Sequence, residues 1–111
     1  MLARQYRLAK EKDIRTVYKN KAALFGRSVI VNFGRNNLTN SRFAFVVSAK
    51  TLSKAVDRNY YKRILRDIIY KLLDVIPTNL DIVIVIKKGI TQMNFQEIDQ
   101  ELSTIVKKLN K

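Results

Sequence analysis

The seven residues Leu80–Ile86, Leu-Asp-Ile-Val-Ile-Val-Ile, form an apolar run in which only Asp81 is polar. β-branched residues favour strands, and a strand that lacks alternation between apolar and polar residues is buried on both faces. The run therefore predicts a central strand of a sheet that other segments cover on both sides. It is far shorter than the roughly 20 residues needed to span a bilayer.

Residues 54–66 predict a helix with two chemically different sides. At about 100° per residue, a helical wheel separates the cationic side chains from the apolar ones. The cationic side carries Arg58, Asn59, Lys62, Arg63 and Arg66, and the apolar side carries Tyr61, Ile64, Leu65, Ile68 and Leu72. Tyr60 falls beside the apolar side, near 200° from Arg58 on the same wheel. The helix must end before Pro77, which cannot continue it.

Two further helices are predicted at the ends of the chain. Residues 10–19 place Ile14, Val17 and Tyr18 at the i, i+3, i+4 spacing of a short amphipathic helix. The last helix opens at Asn94, because Glu97 three residues later gives the spacing of a capping box.

Residues 28–33 and 42–48 are rich in strand-forming side chains. The segment between them, residues 34–41, is rich in Gly, Asn and Ser, so the two strands are predicted to form a hairpin. The predicted order is therefore α-β-β-α-β-α, and the expected fold is a small α+β sandwich with a central sheet. At 111 residues, the chain is expected to form one single domain, residues 1–111.

The charge points to a polyanionic partner. The net charge of +13 lies entirely in residues 1–71, whereas residues 72–111 are neutral. Such asymmetry is typical of a nucleic-acid footprint. The sequence has no His and no Cys, and its aspartates are scattered, so we expect no catalytic or metal-ligating residue in the protein. Without a signal peptide or a membrane span, it is expected to be soluble and cytoplasmic.

Several motifs together resemble one known family, the bacterial ribonuclease P protein component. The central motifs are Ser48-Ala-Lys50, Lys54-Ala-Val56, Arg58-Asn59 and Lys62-Arg63-Ile-Leu-Arg66. The flanking motifs are Tyr6-Arg-Leu8, Lys12-Asp-Ile14, Val17-Tyr18, Arg42-Phe-Ala-Phe-Val-Val-Ser48 and Ile84-Val-Ile-Lys87-Lys-Gly89. The similarity covers nearly the whole chain in order, which is more specific than a basic helix alone.

The resemblance implies the protein subunit of a ribonucleoprotein endoribonuclease that removes the 5′ leader from precursor tRNA. Catalysis would belong to the RNA subunit and to Mg²⁺ bound mainly by that RNA. The expected partners are the ribonuclease P RNA and the precursor tRNA leader, with no membrane and no obligate protein partner. The implied fold is the ribonuclease P protein-like, ribosomal protein S5 domain 2-like α+β fold.

The resemblance also implies which residues contact RNA. The expected RNA-binding residues are Lys50, Lys54, Arg58, Asn59, Lys62, Arg63 and Arg66. The candidates for a leader cleft between the helix and the sheet are Ile14, Tyr18, Phe33 and Tyr60. For Tyr18, packing with Ile14 in the core is an equal alternative.

The chain departs from the family pattern at two places. Tyr60 stands where the family typically has the second Arg of Arg-Asn-Arg, and it is expected either to stack on a base or to pack on the sheet. The segment Thr51-Leu-Ser53 lacks the family's usual Gly, so the loop before the helix is expected to differ. Three other functions stay open on the residues alone: a small ribosomal protein, a membrane-surface protein and a DNA-binding module.

Overall fold

The structure is a computed structural model that describes residues 3–109. Its helices are α1 (Glu11–Lys19), α2 (Ala55–Leu72) and α3 (Phe95–Leu109). Its strands are β1 (Ala23–Phe25), β2 (Val29–Arg35), β3 (Arg42–Val46) and β4 (Leu80–Ile86). Short 3-10 turns lie at Arg4–Tyr6, Leu73–Val75 and Lys88–Gln92. The predicted α+β class is confirmed, and among the helices and strands of the described residues the prediction missed the three-residue strand β1.

The sheet has the order β1-β2-β4-β3, which places β4 in the interior as its apolar sequence predicts. β4 is antiparallel to β2 and parallel to β3. The predicted hairpin between residues 28–33 and 42–48 is therefore wrong, because both strands pair with β4 rather than with each other. A direct hairpin would leave the most apolar strand at an edge of the sheet, where its backbone and side chains would meet water.

The two faces of β4 are covered by different helices. Since side chains alternate along a strand, Ile82, Ile84 and Ile86 face the larger core beneath α2 and α3. Val83 faces the opposite side, where Val17 of α1 packs with Leu8 and Ala44. The helix α2 therefore has its apolar side anchored against the sheet and leaves its cationic side outward.

Side-chain hydrogen bonds define where α3 begins and tie it to the sheet. The Asn94 backbone N–H donates to Glu97 Oε1, and the Glu97 backbone N–H donates to Asn94 Oδ1, each at 2.9 Å. This is the reciprocal capping box that the sequence predicts. Further along α3, Glu101 Oε1 accepts bonds from the backbone N–H and the hydroxyl of the fully buried Ser28, at 2.9 and 2.8 Å. The helix is thus tied to the start of β2.

The single polar residue of β4 is held by an ion pair. Asp81 accepts bonds from Nε and Nη2 of Arg42 on the neighbouring strand, at 2.9 and 2.7 Å. Asn36 Nδ2 donates to the same carboxylate at 2.8 Å, and Arg42 Nη1 lies 3.5 Å from Asp13 Oδ2 on α1. Hydrogen bonding to Asp81 raises the pKa of Arg42. The network joins β3, β4, α1 and the loop after β2.

We expect Arg42→Ala to lower the free energy of unfolding by about 2–3 kcal/mol, because it leaves the buried Asp81 carboxylate short of its charged donor. Arg35→Ala, which removes an exposed cation at the end of β2, is the matched control and should change stability by less than about 0.5 kcal/mol. Urea unfolding of both variants measures the difference. Equal losses would show that the pair contributes nothing specific.

Candidate nucleic-acid interface

A groove of about 960 Å³ runs between α2, the edge strand β3 and the chain segment that precedes α1. Its walls combine exposed and half-buried apolar side chains with cations. The lining residues are Arg7, Leu8, Ala9, Ile14, Phe43, Ala44, Phe45, Val46, Val56, Asn59, Tyr60, Arg63, Arg66 and Asp67. Helix α2 thus supplies one wall, and β3 supplies the floor.

The groove follows from the edge position of β3. One side of β3 pairs with β4, and the other side meets the N-terminal segment through an isolated parallel bridge between Arg7 and Phe43. The Leu8 N–H donates to the Phe43 carbonyl at 2.8 Å. Beyond this contact the segment continues into α1, so the half-buried Phe45 and Val46 are left on the groove floor.

The cationic side of α2 divides into two parts. Asn59, Arg63 and Arg66 line the groove with Tyr60. Lys62 does not line the groove, although it lies only about 40° round the helix from Arg66. Lys50 and Lys54 are exposed in the segment that leads into the helix, where Lys54 occupies the N-cap position. The predicted RNA-binding residues thus form two adjoining surfaces.

Arg58 holds the loop before α2. Its Nη1 donates to the carbonyl oxygens of Leu52 and Ser53, at 2.7 and 3.0 Å. The same loop is closed by Ser48, whose hydroxyl oxygen accepts the Thr51 N–H at 3.2 Å. Residues 48–54 all have negative φ angles, which any residue can adopt, so this loop needs no glycine. The sequence could not show that Arg58 binds the backbone carbonyls of the loop before its helix.

The groove cations lie against aromatic rings. The Cζ atom of Arg63 is 5.9 Å from the centroid of the Tyr60 ring, and that of Arg66 is 5.9 Å from the Phe45 centroid. Within residues 3–109, ion pairs join Arg42 to its two aspartates and Lys71 to Asp99. None of these ion pairs involves Arg63 or Arg66, so both can bind an anion, although Asp67 also lines the groove.

The four leader-cleft candidates separate in the structure. Ile14 and Tyr60 line the groove. Phe33 does not: it packs against the larger core and borders a different recess beside Gly34 and Arg35, because its strand β2 lies across β4 from β3. Tyr18 lies on α1 with 41% of its surface exposed, and burial of the remainder raises the pKa of its hydroxyl.

Several groove residues were missed by the sequence analysis. Val56 and Asp67 fall at about 160° and 180° from Arg58 on the helical wheel, so their position beside Arg63 was predictable from periodicity. Arg7 reaches the groove through the pairing of the N-terminal segment with β3, and no local pattern in the sequence indicates that pairing.

The acidic side chains of residues 3–109 show no metal-ion grouping. In the described part of the chain, no three Asp or Glu residues come together as a candidate metal site. Over the same residues, no helix is long and apolar enough to cross a membrane.

Comparison with known proteins gives a consistent result. The family model "Ribonuclease P" matches residues 2–110. A ribonuclease P protein component from Syntrophomonas wolfei is 32% identical over 97% of this chain and 90% of its own length. One from Thermotoga petrophila is 33% identical over 96% of this chain and 93% of its own. The solved ribonuclease P protein from Thermotoga maritima has a TM-score of 0.83 and 29% identity, covering 92% of this chain and 96% of that one.

Fold, groove and matches together define a small basic RNA-binding subunit of a ribonucleoprotein. The chain belongs to the ribonuclease P protein family. It is thus a subunit of a ribonucleoprotein endoribonuclease in which the RNA carries out the catalysis.

We expect Arg58→Ala to loosen residues 48–54, because the Leu52 and Ser53 carbonyls lose a charged donor. The loss in unfolding free energy should be about 1–3 kcal/mol. Hydrogen exchange of the backbone amides in this loop should accelerate more than in α3. Arg63→Ala, on the same helix but in the groove, is the control and should leave loop exchange unchanged. Identical exchange in the two variants would contradict the positioning role.

Proposed function

We propose that this chain assists the ribonuclease P RNA in removing the 5′ leader from precursor tRNA by holding the leader in the groove beside α2. The observation that carries the proposal is the groove itself, in which Arg63 and Arg66 lie against aromatic rings and, within residues 3–109, take part in none of the ion pairs. Sites for single-stranded nucleic acid combine cations that track the backbone with aromatic rings on which bases stack.

The second surface, formed by Lys50, Lys54 and Lys62, is proposed to contact the RNA subunit. Lys54 supports this assignment because it occupies the N-cap of α2, where the helix dipole is positive and a cation is unfavourable. A phosphate bound there would be attracted both by the dipole and by the lysine. Arg58 contributes to the same surface by ordering the loop that carries Lys50.

The division of labour with the RNA follows from the chemistry that the chain offers. The Mg²⁺ ions that assist phosphoryl transfer are proposed to be held mainly by the RNA subunit, since the described residues group no set of carboxylates for them. The protein's own residues bind and orient RNA. Because its partners are the tRNA-processing RNA and its substrate, we also propose a cytoplasmic location.

The proposed function is tested by cleavage of precursor tRNA at low Mg²⁺ with a bacterial ribonuclease P RNA, with and without this protein. We expect strong stimulation by the protein, no cleavage by the protein alone, and tighter binding of precursor than of mature tRNA by the assembled enzyme. Tight RNA binding without stimulation or leader preference would contradict the proposal and favour a general RNA-binding role.

Two substitutions one residue apart on α2 are expected to change leader binding in opposite directions. Arg66→Ala should weaken precursor binding and flatten the dependence of log K on log salt by about one unit, if Arg66 contacts one phosphate. Asp67→Asn should strengthen binding by about twofold to fivefold, since it removes a negative charge from the groove wall.

The control for the second substitution is Asp74→Asn, which removes an exposed carboxylate from the turn after α2, away from the groove. Salt titrations of precursor and mature tRNA binding give the affinity and its salt dependence for Arg66→Ala, Asp67→Asn and Asp74→Asn. If Asp67→Asn and Asp74→Asn increased precursor affinity by a similar factor, the gain would come from the protein's net charge alone. The leader would then bind outside the groove.

A further inference from the structure

We propose that Tyr60, together with Arg63, forms a stacking site for one unpaired nucleobase of the leader, and that this site favours a purine. The inference rests on the proposed function of the groove and names the contact that reads a base within it. It assigns to Tyr60 a role in specificity that charge alone cannot supply.

The exposure of Tyr60 is the first observation. Its side chain lines the groove, yet 48% of its surface is exposed, and Val56, one turn earlier on the same wall, is 75% exposed. Ile14 faces this region from the opposite wall. An aromatic ring and two aliphatic side chains around an open groove lose unfavourable contact with water when a flat apolar ligand enters.

The ring of Tyr60 is also held in place before any ligand binds. The Tyr61 ring lies 5.1 Å away at an interplanar angle of 76°, and the Arg63 guanidinium lies 5.9 Å from the Tyr60 centroid. A ring that is already oriented by an edge contact and a cation–π contact loses little conformational freedom on binding. The groove therefore presents a fixed stacking surface.

The chemistry of this pair fits a nucleotide better than a bare phosphate. The phenol carries no charge, so it adds no Coulombic attraction for the phosphate backbone, whereas every base has a π-face that can stack on the ring. Arg63 can meet the phosphate of the same nucleotide or extend the stack through its guanidinium plane. Purines have the larger π-surface, and stacking strength sets the sequence preferences of such sites.

The test is an abasic scan of the leader. The full chain is assembled with ribonuclease P RNA, and binding is measured for precursor tRNAs that carry one abasic nucleotide at successive leader positions. We expect one position at which the abasic leader binds about tenfold more weakly, and at which a purine binds more tightly than a pyrimidine. If no abasic position lowered the affinity for precursor tRNA more than twofold, the proposal would be overturned, and no protein variant would be needed to show it.

Variants of Tyr60 then connect that position to the ring. Tyr60→Ala should lose about tenfold with the intact leader and respond by less than twofold to the abasic substitution, since both changes remove the same stack. Tyr60→Phe keeps the ring and should bind within twofold of the unaltered chain. If Tyr60→Phe were as weak as Tyr60→Ala, the hydroxyl rather than the ring would make the contact, and the proposal would fail.

The outcomes separate this inference from the function on which it rests. If Arg66→Ala reduces the preference for precursor over mature tRNA and Tyr60→Ala does not, the groove binds the leader but the stacking site is wrong. If the unaltered assembled enzyme shows no preference for precursor, the proposed function itself is wrong. Thermal melting of each variant confirms that the fold is retained in the comparison.

Discussion

The burial of β4 on both faces is the constraint on which the rest of the structure depends. An apolar strand of seven residues is stable only in the interior of a sheet, so β2 and β3 pair on either side of it and helices cover both faces. This arrangement places β3 at an edge and brings α2 directly after it. The groove forms along that edge, because the N-terminal segment pairs with β3 only near Phe43. The functional surface is thus a consequence of the packing of the core.

Helix α2 connects that core to the RNA-binding surfaces. Its buried side, which includes Leu65, Ile68 and Ile69, fixes the helix on the sheet. The exposed side is then held in a defined rotation, in which Arg63 and Arg66 line the groove and Lys62 lies outside it. In the proposed function, the two cationic surfaces of this one helix bind the phosphates of two RNA partners.

The sequence predicted the elements whose signals are local. The apolar run of β4, the amphipathic pattern of α2 and the capping box at Asn94 depend on neighbouring residues, and the structure confirms them. Strand pairing depends on segments far apart in the chain, which is why the predicted hairpin was wrong and why Arg7 was missed in the groove. The backbone contacts of Arg58 were equally hidden, because a helical wheel gives the direction of a side chain but not its partner.

The most direct measurement is a site-specific photocrosslink from the groove in the assembled enzyme. Val56 lines the groove with 75% of its surface exposed, so replacing it with p-benzoylphenylalanine should place a reactive ketone there without disturbing the core. Phe25, 73% exposed on β1 at the opposite edge of the sheet, is the matched control. The account predicts that the Val56 probe crosslinks to the leader of precursor tRNA and that the Phe25 probe does not. A Val56 crosslink confined to the RNA subunit, or equal leader crosslinks from both positions, would contradict it.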